Sequence, residues 1–257
     1  MTKKDIYAEY HIEYKAGKIH APLYGWIAPL LVNGNAKLGR GVWTWSTLPT
    51  NKTFEIDGET VSGTCPCNCS GCYATKGNYN FSSVKKSLAM KTVLSYQHLH
   101  FVYRAISAQI KADNVKIVRI HAAGDFPNDA YIAMWQDIAL ENPDTIFWTY
   151  TKNKAAENAF DDIENANVVK SVIPGHGFNF GHCDYILDIY SALSSAGESV
   201  YICRCGIDNN QHCINCKGCM KHKFVLFVEH STEYKAEADP LFPELAKIVE
   251  SQKSMEG

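Results

Sequence analysis

Short β-branched runs alternate with amphipathic segments along most of this chain, and this order restricts the folds available to it. Each run has the length and composition of a buried strand in a parallel sheet. A strand bounded by glycines is predicted first, from Val42 to Thr47. The later predicted strands are Val115 to His121, Thr145 to Lys152, Asn167 to Ile173, Glu198 to Cys205 and Lys223 to His230.

Helical spacing of apolar residues fills the intervals between these strands. The predicted helices are Phe81 to Ala112 (one long or broken helix), Tyr131 to Leu140, Ala155 to Glu164, Tyr185 to Ser195 and Pro243 to Gln252. Strands that alternate with helices form a parallel sheet with helical crossovers, either an open doubly wound sheet or a (β/α) barrel. In both architectures ligands bind at the carboxyl ends of the strands.

Composition narrows the class of protein. A chain of 257 residues that is 46% hydrophobic can bury a full core without disulfides. The net charge of −2 gives no electrostatic basis for binding nucleic acid. Neither a signal peptide nor a membrane span is visible in the sequence, so we expect a cytoplasmic protein with no membrane partner.

Four cysteines form a tight group after the first predicted strand. Cys65, Cys69 and Cys72 have the spacing C-x3-C-x2-C, and Cys67 lies between the first two. Thiolates are soft ligands that suit iron–sulfur clusters, zinc or cuprous copper. Three of them can hold a four-iron cluster with one iron left open for chemistry. If Cys67 is a fourth ligand, a closed structural zinc site remains the alternative.

A second group lies near the carboxyl end of the chain. Cys205, Cys213, Cys216 and Cys219 have the spacing C-x7-C-x2-C-x2-C, with Cys203 in reserve as a further thiol. Four cysteines can fully ligate a second [4Fe–4S] cluster or a zinc ion, and the sequence leaves this choice open. We therefore divide the chain into a barrel (1–202), a cysteine-rich metal-binding insertion (203–222), and the last strand and helix of the barrel (223–257).

The end of the second predicted strand carries further candidate residues. Gly124 permits a close approach of backbone to a ligand, and Asp125 supplies a carboxylate for a cationic group. Arg119 and His121 lie on one face of this strand, and each is as readily explained as a paired or hydrogen-bonded interior residue. Tyr150 and Lys152 end the next strand.

Taken together, the C-x3-C-x2-C loop and the Gly-Asp turn resemble the radical S-adenosylmethionine (SAM) superfamily. The resemblance implies a partial (β/α) barrel in which Cys65, Cys69 and Cys72 bind a [4Fe–4S] cluster and SAM chelates its open iron. It implies reductive cleavage of SAM to a 5′-deoxyadenosyl radical that acts on a substrate, with a reductant such as flavodoxin or ferredoxin as partner. The implied cofactor-binding residues are Tyr73, His121, Gly124, Asp125, Tyr150 and Lys152.

Several blocks resemble more closely the phage- and plasmid-encoded "gene product eighty-eight" family. They are GNAKLGRGVWTW, the CYA at Cys72 to Ala74, VRIHAAGDF and FWTYTK. The family name carries no biochemical role, so the substrate stays open. Two alternatives to the radical SAM hypothesis also remain: a non-catalytic zinc protein with two cysteine modules, and an iron–sulfur electron carrier or sensor.

Overall fold

A computed structural model describes residues 1–34, 38–56, 58–69, 72–204, 207, 211–229 and 235–255. The helices in these ranges are α1 (Lys3–Glu9), α2 (Ser82–Gln97), α3 (Leu99–Ala112), α4 (Asp129–Glu141), α5 (Cys183–Ser195), α6 (Cys213–Cys216) and α7 (Phe242–Met255). None of the helices that the structure describes is long and apolar enough to cross a membrane.

Fifteen strands accompany the helices in the described ranges. Those before the first cysteine loop are β1 (Tyr14–Lys15), β2 (Lys18–Ala21), β3 (Gly25–Ile27), β4 (Val32–Asn33), β5 (Val42–Thr44), β6 (Thr53–Ile56) and β7 (Glu59–Ser62). The remaining strands are β8 (Ile117–Arg119), β9 (Ile146–Thr151), β10 (Ala166–Lys170), β11 (Val172–Ile173), β12 (Gly177–Phe178), β13 (Phe180–Gly181), β14 (Val200–Ile202) and β15 (Phe224–Val228).

Two groups of parallel strands form the centre of the fold. The larger sheet has the order β10-β9-β8-β5-β4, in which only β4 runs antiparallel to its neighbour. The smaller sheet has the order β13-β15-β14, and both of its pairings are parallel. A hydrogen bond of 2.9 Å from the Lys170 backbone N–H to the Lys223 carbonyl joins the two sheets. The predicted mixed α/β class with parallel strands is thus confirmed.

The order of the last strands differs from that of a regular (β/α) barrel. A barrel built in sequence order would put β14 beside β10, whereas β15 lies between them here. The described residues contain no closed barrel, because β14 pairs only with β15. The carboxyl ends of β5, β8 and β9 nevertheless lie at one edge of the larger sheet, since these strands are parallel.

The structure decides one open alternative, overturns one local prediction and adds elements to one segment that had no prediction. The segment 81–112 is a broken helix, because His98 leaves helical geometry between α2 and α3. The predicted helix from Ala155 to Glu164 is wrong, since this segment is a series of turns. The backbone N–H groups of Ala156, Glu157 and Ala159 donate to carbonyls three residues back, as in turns, and not four residues back as in an α-helix. The N-terminal segment, which carried no prediction, contains α1 and the antiparallel sheet β1-β2-β3.

The hydrophobic core lies in several clusters, of which two matter for function. The largest contains the fully buried Trp45, Trp135 and Phe147, and packs α3 and α4 against the large sheet. A smaller cluster joins the two sheets and includes the described cysteines of the second group. Its buried members are Leu38, Val42, Ile117, Trp148, Val169, Tyr201, Cys203, Cys216, Cys219 and Val225.

Candidate functional site

Both ends of the first cysteine loop are attached to the turn that follows β8. Thr64, which precedes Cys65, accepts a 3.0 Å hydrogen bond through its hydroxyl from the Asp125 backbone N–H. Tyr73, which follows Cys72, donates its hydroxyl hydrogen to the Ala122 carbonyl. The loop therefore begins and ends on the same turn, and its cysteines lie over the carboxyl end of β8.

Gly124 allows this close packing of loop against turn. Its φ of +87° lies in the left-handed region that favours glycine. A Cβ at this position would meet the Thr47 hydroxyl oxygen at 1.9 Å and the Thr64 hydroxyl oxygen at 2.8 Å. These two hydroxyls hydrogen-bond to each other at 2.8 Å. No other residue type fits here without displacing the segment that leads into Cys65.

Asp125 holds a buried, oriented carboxylate, with 4% of the residue exposed. Its Oδ1 accepts hydrogen bonds from the Thr151 hydroxyl at 2.6 Å and the Phe126 backbone N–H at 2.8 Å, and its Oδ2 accepts one from the Lys152 N–H at 2.9 Å. Burial raises the pKa of this carboxyl, and the three hydrogen bonds oppose that effect. Oδ2 has capacity for a second donor.

The thiols of the first group are partly buried, and those of Cys65 and Cys67 lie near this carboxylate. Burial raises the pKa of Cys65 to about 12, with Asp125 as the next cause. The sulfurs of Cys67 and Cys69 lie 3.6 Å apart. Burial also raises the pKa of Cys67. Bound metal would counter both shifts, because it favours the thiolate.

The thiols of this loop are suitable ligands for a metal centre, but their sulfurs do not converge on one point. None of the nine cysteines in the described ranges forms a disulfide. Across the same ranges, no three Cys, His, Asp or Glu side chains converge in a way that could hold a metal ion. Because a preformed metal site is uncommon without its metal, binding would have to draw these thiols together.

The described cysteines of the second group lie beside the end of β9. Tyr150 donates a hydrogen bond of 2.8 Å from its hydroxyl to the Cys219 sulfur. A side-chain hydrogen bond with Cys203, followed by burial, raises the pKa of Cys219 well above its usual value. The Tyr201 hydroxyl and the Cys216 sulfur lie 3.1 Å apart. Cys203, which the sequence offered as a further thiol, thus contacts this group. Cys205, another predicted ligand, falls outside the described residues.

Arg119, a candidate from the sequence but not one of the implied cofactor-binding residues, lies between the two groups. Its Nη2 donates a 3.3 Å hydrogen bond to the Tyr73 hydroxyl, next to Cys72. Its guanidinium carbon lies 4.9 Å from the centre of the Tyr150 ring, whose hydroxyl contacts Cys219. The sequence signal for a ligand-binding role was a charged residue near the end of a mostly apolar strand. Such a residue is as readily explained by a salt bridge as by ligand binding.

The other predicted cofactor-binding residues have differing environments. His121 is buried, and its Nε2 lies 3.0 Å from the Tyr131 hydroxyl. Burial, followed by the Arg119 charge, lowers the pKa of His121 to about 3. The Lys152 ammonium lies 5.4 Å from the centre of the Phe178 ring. Tyr73 is 58% exposed, so its ring is accessible from solvent at the edge of the loop.

The chain belongs to the family described as Gene product 88, whose pattern matches residues 29–189. The matched region includes the first cysteine loop and the turn at Gly124, and ends before the second cysteine group. The Gene 88 protein of Mycobacterium phage L5 is 44% identical over 41 residues, which make up 16% of this chain and 17% of the phage protein. No solved structure matches the chain.

Proposed function

We propose that this protein is a radical SAM enzyme built on a partial (β/α) barrel. The observation that carries the proposal is the attachment of both ends of the C-x3-C-x2-C loop to the Gly-Asp turn, through Thr64 and Tyr73. The contact supports the proposal because it holds the loop that carries three correctly spaced thiols against the turn that carries Asp125, whose carboxylate would receive an ammonium group.

The proposed roles of the residues are those that the resemblance to radical SAM enzymes implies. Cys65, Cys69 and Cys72 would hold the [4Fe–4S] cluster. Gly124 and Asp125 would bind the methionine part of SAM, and the Asp125 carboxylate would accept a hydrogen bond from its amino group. When bound and reduced, the cluster and SAM together would supply the radical chemistry, and the chain's part is to bind and orient. The required electron would come from a reductant such as flavodoxin or ferredoxin.

The second cysteine group would hold a further metal centre. Cys213, Cys216 and Cys219 are the proposed ligands together with Cys205, and Cys203 is a competing fourth thiol because it contacts Cys219. Either a second [4Fe–4S] cluster or zinc suits four cysteines. Both would order a polar segment that has few apolar side chains of its own to bury.

A structural zinc site in the first group is the second candidate. Zn–S bonds of about 2.3 Å at tetrahedral angles put ligand sulfurs about 3.8 Å apart. The Cys67 and Cys69 sulfurs are separated by 3.6 Å. This distance suits a zinc site that includes Cys67, whereas the radical SAM reading needs Cys67 to stay uncoordinated. The zinc reading gives no role to the turn at Gly124 and Asp125.

Anaerobic reconstitution with iron and sulfide distinguishes the radical SAM hypothesis from the zinc hypothesis. The reconstituted protein is reduced with dithionite and given SAM, and 5′-deoxyadenosine is measured. We expect product from the wild type and only background from Cys69→Ala. Cys183→Ala is the matched control, because Cys183 is buried in α5 outside both groups. Tightly bound zinc with no uptake of iron would overturn the proposal, as would a fully iron-loaded protein that forms no product.

A further inference from the structure

Cys203 lies at the end of a paired strand, beside the second cysteine group. It directly follows β14, and its backbone N–H donates a 2.8 Å hydrogen bond to the Leu226 carbonyl of β15. The residue is 5% exposed, and its side chain forms a hydrogen bond with that of Cys219. A site residue on a strand is held more firmly than one on a loop, so the Cys203 thiol has a fixed place beside Cys219.

Three further thiols lie on segment 213–219, which packs directly on β14. Gly218 allows this packing, because a Cβ at this position would lie 2.2 Å from the Tyr201 ring. The Tyr201 hydroxyl lies 3.1 Å from the Cys216 sulfur. Tyr201 belongs to β14 and precedes Cys203 by two positions. Segment 213–219 is therefore held against the end of the strand that leads into Cys203.

Segment 213–219 is also attached to β10. The Asn167 side-chain amide donates one hydrogen bond of 2.9 Å to the Cys219 carbonyl and another of 2.9 Å to the His222 carbonyl. Asn167 is itself buried. Contacts with β10 and β14 thus bring four thiols into one core cluster, in which Cys203, Cys216 and Cys219 are buried and Cys213 packs against them.

Two arginines lie close to these thiols. Arg204 is buried, and its Nη2 donates a 3.4 Å hydrogen bond to the Cys216 carbonyl. The guanidinium of Arg119 lies within electrostatic range of Cys213 and Cys219. A zinc ion held by four thiolates is net negative, because the thiolates outweigh the charge of the ion. Neighbouring cations stabilise such a centre, so the surroundings of these thiols suit a metal with four thiolate ligands.

We propose that the second metal centre is held by Cys203 together with the three cysteines of segment 213–219, and that Cys205 is not a ligand. The ligands are then Cys203, Cys213, Cys216 and Cys219, with the spacing C-x9-C-x2-C-x2-C. Four thiolates would take a tetrahedral zinc ion or a [4Fe–4S] cluster.

Metal binding would complete this site. The four sulfurs, all within the described ranges, do not already converge on one point. Binding would therefore draw segment 213–219 the remaining distance towards Cys203. The inference rests on the second metal centre of the proposed function and does not depend on SAM cleavage.

Cobalt binding by the full-length chain tests the ligand set. A background variant removes the first group, so that it reports on the second group alone. Titrated anaerobically with Co²⁺, this variant should bind about one ion per chain and show thiolate-to-cobalt charge-transfer absorption. Its substitutions are Cys65→Ser, Cys67→Ser, Cys69→Ser and Cys72→Ser.

Two single substitutions in this background decide between the candidate fourth ligands. Cys203→Ser should weaken cobalt binding about 100-fold or more, because loss of a group that only orients a ligand already costs about 10–100-fold. Cys205→Ser should keep both the affinity and the absorption. Cys183→Ser is the matched control for removal of a buried thiol, since Cys183 lies in α5 outside both groups.

Circular dichroism checks that each variant is folded. If Cys203→Ser is not, X-ray absorption spectroscopy of the zinc-loaded Cys205→Ser variant decides the question. Four sulfur neighbours at about 2.3 Å are expected, and three sulfurs with one nitrogen or oxygen would overturn the inference.

The cobalt titrations can overturn it as well. Weakened binding by Cys205→Ser, unchanged binding by Cys203→Ser, or no cobalt binding by the background variant would each contradict the assignment. A four-sulfur site in a protein that forms no 5′-deoxyadenosine would overturn only the proposed radical SAM activity.

Discussion

Replacement of Gly124 by alanine should strongly destabilise the native state, because two independent costs fall on one methyl group. The first cost is conformational. An L-residue at a φ of +87° lies in the left-handed region, which costs about 1–2 kcal/mol. The second cost is steric, since the new Cβ would lie 1.9 Å from the Thr47 hydroxyl oxygen.

The steric cost follows from what must move. Thr47 is fully buried, and its hydroxyl hydrogen-bonds to that of Thr64 at 2.8 Å. Forcing a methyl group into such packing costs about 1–3 kcal/mol. Together the two costs amount to about 2–5 kcal/mol, a large part of the roughly 5–15 kcal/mol that stabilises a typical domain.

Gly197→Ala separates the two costs. Gly197 has a similar φ of +78°, but nothing lies within 4 Å of the position its Cβ would occupy. It should therefore lose only the conformational part, about 1–2 kcal/mol. Urea denaturation followed by circular dichroism gives both free energies of unfolding. If the two variants lose the same free energy within about 0.5 kcal/mol, the close approach at Gly124 does not constrain the fold and the argument fails.

Two further predictions concern buried titratable groups. Lys91 is 5% exposed and burial lowers its pKa to about 8, so Lys91→Met should stabilise the protein at pH 7 by about 1–3 kcal/mol. Wild-type stability should rise from about pH 8 to pH 10.5, because the unfolded chain binds more protons than the folded chain in this range. A difference in unfolding free energy between wild type and Lys91→Met that stays constant with pH would contradict this. Burial lowers the pKa of His121 to about 3, so stability should fall below about pH 6.5, by roughly 3 kcal/mol at about pH 4.5. His121→Gln should remove that part of the acid sensitivity in urea titrations, and an unchanged pH profile would contradict it.

Sequence patterns predicted the central strands well because burial on both faces leaves a clear signal. Ile146–Thr151 and Phe224–Val228 lie within their predicted ranges. The strand order was not accessible in the same way. Insertion of β15 beside β10 depends on contacts between residues far apart in sequence, such as the hydrogen bond between Lys170 and Lys223. Periodicity within a segment carries no information about which strands lie beside it in the sheet.

The site was predictable in part for a similar reason. Cysteine spacing and the Gly-Asp turn are local patterns, and both indicated the edge of the sheet where the structure puts them. The contacts of Tyr150 and Arg119 are not local. Tyr150 reaches Cys219, which is 69 positions away, and Arg119 reaches Tyr73 across 46. A charged side chain in a strand looks the same in sequence whether it is paired or open to a ligand.

The central position of β15 makes assembly of the sheet depend on a late part of the chain. Among the described strands, β13 and β14 pair only with β15, which begins at Phe224. On a ribosome, residues 200–202 would therefore wait for residues 224–228 to emerge before joining the sheet. The first cysteine loop needs only segments up to β9 for its contacts with the turn at Gly124. The two cysteine groups would thus become ready for metal at different stages of synthesis, the first of them well before the chain is complete.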